Sequence, residues 1–225
     1  MIDKLIIIYY SNHMGNAVTA SRKVVISHSI DEHEKEIQAS WRKNNEFIFP
    51  CNGDKSYSSP EALHIAGAIL KKSFPKTGNV LEIMAGNCVA SGIIKPYIDH
   101  EKWICTDLFA PSEELDAIEA VEKYGEWADT LMIISPPPYC QIDNENFNGG
   151  YGDYFACKKI IEKANRNKFI IILGELGAGD GTEGIYRYLL EHPKLKLMTR
   201  EQYWGTVSAL TGKIIREVFI FKIDL

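Results

Sequence analysis

Asn79-Val80-Leu81-Glu82-Ile83-Met84-Ala85-Gly86-Asn87-Cys88-Val89-Ala90-Ser91-Gly92-Ile93-Ile94 is a strand, a tight turn and a helix start in one short segment. Val80–Met84 has the apolar character of a buried strand, interrupted by the acid Glu82. Ala85-Gly86-Asn87 follows as a small-residue turn, and a helix begins near Val89. Glycine lets the backbone come close to a ligand without steric penalty. In open α/β folds ligands bind at the carboxyl ends of the parallel strands, where this turn falls. Glu82 can accept a hydrogen bond from a ligand's amino group. Further on, Trp103-Ile104-Cys105-Thr106-Asp107 is a second strand ending in an acid. A carboxylate at that position can accept both hydroxyls of a ribose.

Outward from this segment the chain alternates. Further strands are expected at Trp103–Thr106, Leu131–Ile134 and Phe169–Leu173, and helices at Val89–Tyr97, Asp116–Tyr124, Tyr154–Ala164 and Glu183–Leu190. Apolar strands separated by helices predict an α/β fold, a mostly parallel sheet with helices on both faces. Lys194–Met198 and Ile214–Ile223 lack a helix between them and predict a C-terminal antiparallel strand pair. Upstream, Ser59 caps a helix that opens on Pro60 and ends before Pro75. Leu5–Tyr10 reads as a strand, Lys23–Ile26 as β-like, and polar Asp31–Asn44 as a helix with Ile37 and Trp41 one turn apart. The Pro, Gly and Ser cluster from Pro50 to Ser59 marks a boundary. Residues 1–50 are thus an N-terminal extension or accessory elements, and 51–225 the main domain.

A chain of 225 residues with 45% hydrophobic and 24% charged residues is an ordinary globular composition. Its apolar runs are far shorter than the roughly 20 residues a bilayer helix needs. No membrane association is expected, and with no signal-peptide pattern the expected location is cytoplasmic. The net charge of −5 exerts no general pull on nucleic acid, although Arg22, Lys23, Arg42 and Lys43 can form a local basic groove. The five cysteines show no CxxC pair, so neither a zinc site nor a disulfide framework is expected. No GxGxxG is present, which argues against a nicotinamide enzyme.

The turn at Gly86 resembles the first motif of class I S-adenosylmethionine-dependent methyltransferases, a hydrophobic strand with an acid followed by a glycine-rich turn. Met84 and Cys88 stand where that family usually has glycine. Asp107 matches its ribose-binding acid, and Asp116, opening the next helix, its adenine-contacting acid. Only Leu108–Leu115 separates these two acids, so the family's third strand must be shortened or lost. After the strand Leu131–Ile134 comes Ser135-Pro136-Pro137-Pro138-Tyr139. It is similar to the Asp/Asn/Ser-Pro-Pro-aromatic motif of amino-group methyltransferases, in which the polar side chain and a proline carbonyl accept from the target amine and the ring stacks on it. There is one proline more than the motif has. With Ser135 in the polar place, Pro138 fills the aromatic one; with Tyr139 in the aromatic place, Pro136 fills the polar one.

The resemblance covers Ser59 to Leu225 and implies a Rossmann-like fold. It implies S-adenosylmethionine as cofactor, held by Glu82, Ala85, Gly86, Asn87, Asp107, Asp116 and Ser135. Ser135, Pro136 and Tyr139 would be catalytic, with Tyr139 and Glu175 binding substrate. Cys140–Gly152 is long enough for a substrate lid. The glycine-rich run from Gly174 to Gly184 lacks the GK[ST] of a phosphate loop, and Glu175 within it can bind an amine or act as a base. The expected activity is methyl transfer to an amino nitrogen of a nucleobase or protein, with a small molecule as a further acceptor class. The alternative is an inactive methyltransferase-fold binding or regulatory protein with a protein partner, motivated by the replaced glycines and the extra proline.

Overall fold

Alternating runs of apolar β-formers and amphipathic helices place each strand's odd and even residues against different helices. The computed structural model describes residues 6–9, 23–26, 60–86, 88–107, 112–136, 140–142, 145–147, 152–174, 183–208 and 212–225. The chain divides into two units: Met1–Lys55 with Tyr139–Gly150, and Ser56–Pro138 with Tyr151–Leu225.

In the first unit β1 (Ile6–Tyr9) pairs antiparallel with β2 (Lys23–Ile26). The expected helix at Asp31–Asn44 and the basic pair Arg42 and Lys43 lie outside the described residues.

The second unit opens with α1 (Pro60–Ser73), which stops ahead of Pro75 as expected. Then follow β3 (Asn79–Ile83), α2 (Val89–Ile94) with a 3-10 turn at Lys95–Tyr97, and β4 (Lys102–Asp107). Pro96 inside that turn ends the α-helix earlier than its apolar spacing predicts. Next come β5 (Glu113–Glu114), α3 (Ala117–Tyr124) and β6 (Thr130–Ile134). The stretch expected to be a loop, Cys140–Gly152, contains a hairpin of β7 (Cys140–Ile142) and β8 (Glu145–Phe147), which belongs to the first unit. The second unit resumes with α4 (Gly152–Glu162), β9 (Lys168–Gly174), α5 (Glu183–Glu191), β10 (Leu195–Ser208) and β11 (Gly212–Ile223).

Seven of these strands form one sheet in the order β10-β11-β9-β6-β3-β4-β5. β3 is parallel to both β4 and β6, with Leu81 opposite Ile104 on one side and Leu131 on the other. β6 and β9 continue the parallel set, while β11 lies antiparallel between β9 and β10. From β5 to β9 this is the doubly wound order of a Rossmann-like sheet. β5 is the shortened third strand, reduced to two residues. The sheet is sandwiched: Leu81, Ile83, Leu131, Ile133, Ile170 and Ile172 pack on the face of α3, α4 and α5. Val80, Met132, Ile134, Ile171 and Leu173 pack on the opposite face with α1 and Ile94 of α2.

Among the described residues no helix is long and apolar enough to cross a membrane. The buried polar side chains include Lys168, at the amino end of β9, which is 0% exposed. Its Nζ donates to the carbonyls of Gly125 (2.9 Å), Glu126 (3.2 Å) and Ala128, closing the turn that follows α3. Replacing it with methionine keeps the packing but strands these carbonyls. Lys168→Met is expected to cost about 2–4 kcal/mol, read as a lower urea midpoint with an unchanged slope.

Candidate functional site

The strand order reverses between β3 and β6: the chain leaves β3 toward β4 on one side and returns to β6 on the other. Such a reversal leaves a crevice at the carboxyl ends of the two strands, because their outgoing connections part there. Four residues in the described chain have a left-handed backbone, Met84 (φ 57°), Gly86 (φ 54°), Cys88 (φ 61°) and Ser135 (φ 47°), and all stand at these two strand exits. For a residue with a Cβ this conformation costs about 1–2 kcal/mol. Met84 and Cys88 therefore hold a backbone shape that glycine adopts without this cost.

A web of short contacts over-determines that shape. Ala85 N donates to Thr106 O at 3.0 Å and Cys88 N to Ala85 O at 2.9 Å. Gly86 N donates to Asp107 Oδ2 at 2.9 Å, so the acid ending β4 is fastened to the turn ending β3. Ser112, 6% exposed, donates from Oγ to Gly86 O at 2.9 Å and lies 3.1 Å from Cys88 Sγ. A Cβ built on Gly86 would meet nothing within 4 Å among the described residues, so they leave the outer side of the turn open. On Gly152, by contrast, a Cβ would stand 3.0 Å from Met84 Cε, so the start of α4 closes directly on the turn.

Glu82 is fully buried on the α1 side of the sheet. Trp103 Nε1 donates to its Oε2 at 2.7 Å and Cys105 Sγ stands 3.5 Å from the same oxygen, while Oε1 has no hydrogen-bond partner among the described residues. Burial raises the Glu82 pKa, against the pull of Ser91, Trp103, Cys105 and the charge of Lys95. The neighbouring Cys105 thiol is pushed up to about 12, by burial first and by the Glu82 charge second, and is an inert neutral group.

Asp116 is the N-cap of α3. Its Oδ1 accepts from Ile118 N and Glu119 N, both at 2.8 Å, and Glu119 returns the bond to Asp116 N in a capping box. Ser135 ends β6. Its amide donates to Leu173 O at 2.7 Å, and Arg216 Nη1 donates to its Oγ at 2.8 Å. Pro136 is buried behind it. Asn87, Tyr139 and Glu175 lie outside the described residues.

The fold thus gathers Ala85, Gly86 and Asp107 at one strand exit, with Glu82 beneath it, and sets Ser135 and Pro136 at the neighbouring one. Sequence reasoning missed Ser112 and Arg216. Ser112 sits in the stretch read only as a shortened third strand. Arg216 had one visible signal, a charged pair with Glu217 inside the apolar run Ile214–Ile223.

No protein-family model matches the chain, and no curated protein matches it in sequence. Solved structures are similar in outline. One is precorrin-6y C5,15-methyltransferase from Geobacter metallireducens, with 9% identity over 76% of this chain and 92% of that one, at a TM-score of 0.49. Another is a protein of the NADB-Rossmann superfamily from Streptococcus agalactiae, with 9% identity, coverage of 70% and 67%, and a TM-score of 0.46. An rRNA methylase from Streptococcus thermophilus follows, with 9% identity, coverage of 73% and 97%, and a TM-score of 0.41. The strand order, rather than these distant likenesses, assigns the fold.

The raised pKa of Glu82 has a pH consequence. A carboxyl whose folded pKa exceeds its unfolded value adds stability that is fully present below the unfolded pKa, near 4.5, and lost as pH rises through the folded one. Glu82→Gln is expected to abolish that decline, so that denaturant titrations from pH 4.5 upward show a flatter stability profile than the wild type.

Proposed function

We propose that the protein is an S-adenosylmethionine-dependent methyltransferase acting on an amino nitrogen of a nucleobase or a protein. The observation that carries this reading is the fastening of Asp107 to Gly86 at the switch point, which puts a carboxylate and an open backbone turn side by side. The residues fit the cofactor. The open side of Gly86 admits its nucleoside, and the carboxylate of Asp107 accepts from the ribose hydroxyls. Glu82 Oε1, buried and without a hydrogen-bond partner among the described residues, is an acceptor suited to an ammonium group. Asp116 would add an acceptor for the adenine amine beside its capping bonds.

The bound cofactor supplies an electrophilic methyl group. Methyl transfer is an in-line displacement that depends mainly on proximity and orientation. The protein's part is to hold the acceptor. Ser135, Pro136 and Tyr139 would orient the target amine, through the serine hydroxyl, a proline carbonyl and the aromatic ring. Glu175 would contribute a carboxylate to the same side. We assign the first 50 residues to an accessory role, and we place the protein in the cytoplasm.

A second reading is a methyltransferase-fold protein that binds a protein partner without turnover. It draws on Met84, whose side chain reaches across to Gly152 and occupies room beside the turn. Transfer of labelled methyl from the cofactor to RNA, DNA or protein separates the two readings.

Titration calorimetry with S-adenosylhomocysteine tests the main one. The wild type is expected to bind, and Asp107→Ala to weaken binding by about tenfold or more, as loss of charged hydrogen bonds predicts. Absence of heat from the wild type would sink the proposal.

A further inference from the structure

β4 lies beside β3 with Trp103 opposite Val80 and Cys105 opposite Glu82. Side chains alternate along a strand, so Trp103 and Cys105 share the face on which Glu82 is buried. Trp103 Nε1 donates to Glu82 Oε2 at 2.7 Å. The indole is itself held in place: His100 meets it edge-on with ring centroids 5.2 Å apart, and Lys95 Nζ lies 5.5 Å from its centroid. A phenylalanine would pack there too, but it brings no N–H.

The groups that act on Glu82 are Trp103 and Cys105 of β4, Ser91 of α2 and, through its charge, Lys95 of the turn that follows α2. Met132, opposite it on β6, is apolar. Burial opposes the carboxylate, and all four of these neighbours favour it. Oε1 still has no hydrogen-bond partner among the described residues. A buried carboxylate with an unsatisfied oxygen is costly, and a neutral side chain of its size would avoid that cost. Neighbours that nonetheless favour the charge suit an acid that meets a cation.

We propose that Trp103 is a positioning residue, whose bond to Oε2 holds the Glu82 carboxylate so that Oε1 receives the ammonium group of the cofactor's amino-acid part. Oε1 is closed to bulk solvent, and one bridging water serves there as well as direct contact. This rests on the methyltransferase reading above.

Two ligands that differ in the amino-acid part test it: S-adenosylhomocysteine carries the ammonium, and methylthioadenosine shares the nucleoside but lacks it. Calorimetry is expected to show that Trp103→Phe lowers the affinity for the first relative to the second about tenfold, the scale of one hydrogen bond to a charged group. Glu82→Gln should lower the ratio as well, and the double variant no further than Glu82→Gln alone. In the wild type the ratio should fall as pH drops through the raised pKa of Glu82, because the neutral acid no longer draws the ammonium. The indole bond is one of the groups that hold this pKa down, so in Trp103→Phe the fall should come at higher pH. A packing role alone would weaken both ligands together and leave that profile in place. An unchanged ratio with both ligands bound overturns the role of Trp103, and so does a lowered ratio whose pH profile does not move. If Trp103→Phe shows no cooperative melt, the indole N–H resonance of Trp103 in the wild type decides the matter. It should shift with S-adenosylhomocysteine and not with methylthioadenosine, and an equal response to the two overturns the role. No heat with S-adenosylhomocysteine in the wild type removes the methyltransferase reading and this role together.

Discussion

The parallel pairing of β3 with β6 is the contact on which the rest of the second unit hangs. Val80, Leu81, Glu82 and Ile83 of β3, and the four β6 residues opposite them, are fully buried, so neither strand has a wet face. Both must be covered by helices on each side, which places α1 and α2 on one face and α3, α4 and α5 on the other. Because the connections from β3 and β6 lead to opposite halves of the sheet, they part at the carboxyl edge. The crevice follows from topology before any site residue is specified.

The cost of this arrangement falls at the two exits. Met84, Cys88 and Ser135 hold left-handed backbones that their side chains oppose. Such strain persists only where surrounding structure over-determines it. Here Thr106, Asp107 and Ser112 fasten the first exit, and Leu173 and Arg216 the second. Glu82 adds another local cost, a buried carboxyl with one unsatisfied oxygen. Stability is thus sacrificed at several points around these two strand exits.

Much of the fold was legible because its signals are local. Strands β3, β6 and β9 are short apolar runs between helical periods, and their bounds moved by only a residue or so on folding. Gly86 and Asp107 could be named because each ends a recognisable strand. Asp116 was legible as an acid at the start of a helix. The capping box with Glu119 shows that at least its Oδ1 is engaged by the backbone. The loop expected at Cys140–Gly152 contains a hairpin, since strands of three residues, Cys140-Gln141-Ile142 and Glu145-Asn146-Phe147, are too short for a period to be read from them.

By itself, then, the sequence determined the alternation of strands and helices, the acid and glycine of the first turn, and the antiparallel character of the last two strands. Period and turn chemistry act over a few residues and can be read directly. Tertiary structure alone decided that β11 inserts between β9 and β10, which brings Arg216 to Ser135 across 81 positions of the chain. It also decided that Met84 and Cys88 take up left-handed backbones. Both outcomes depend on contacts between segments far apart in sequence, where neither partner carries a local mark of the other.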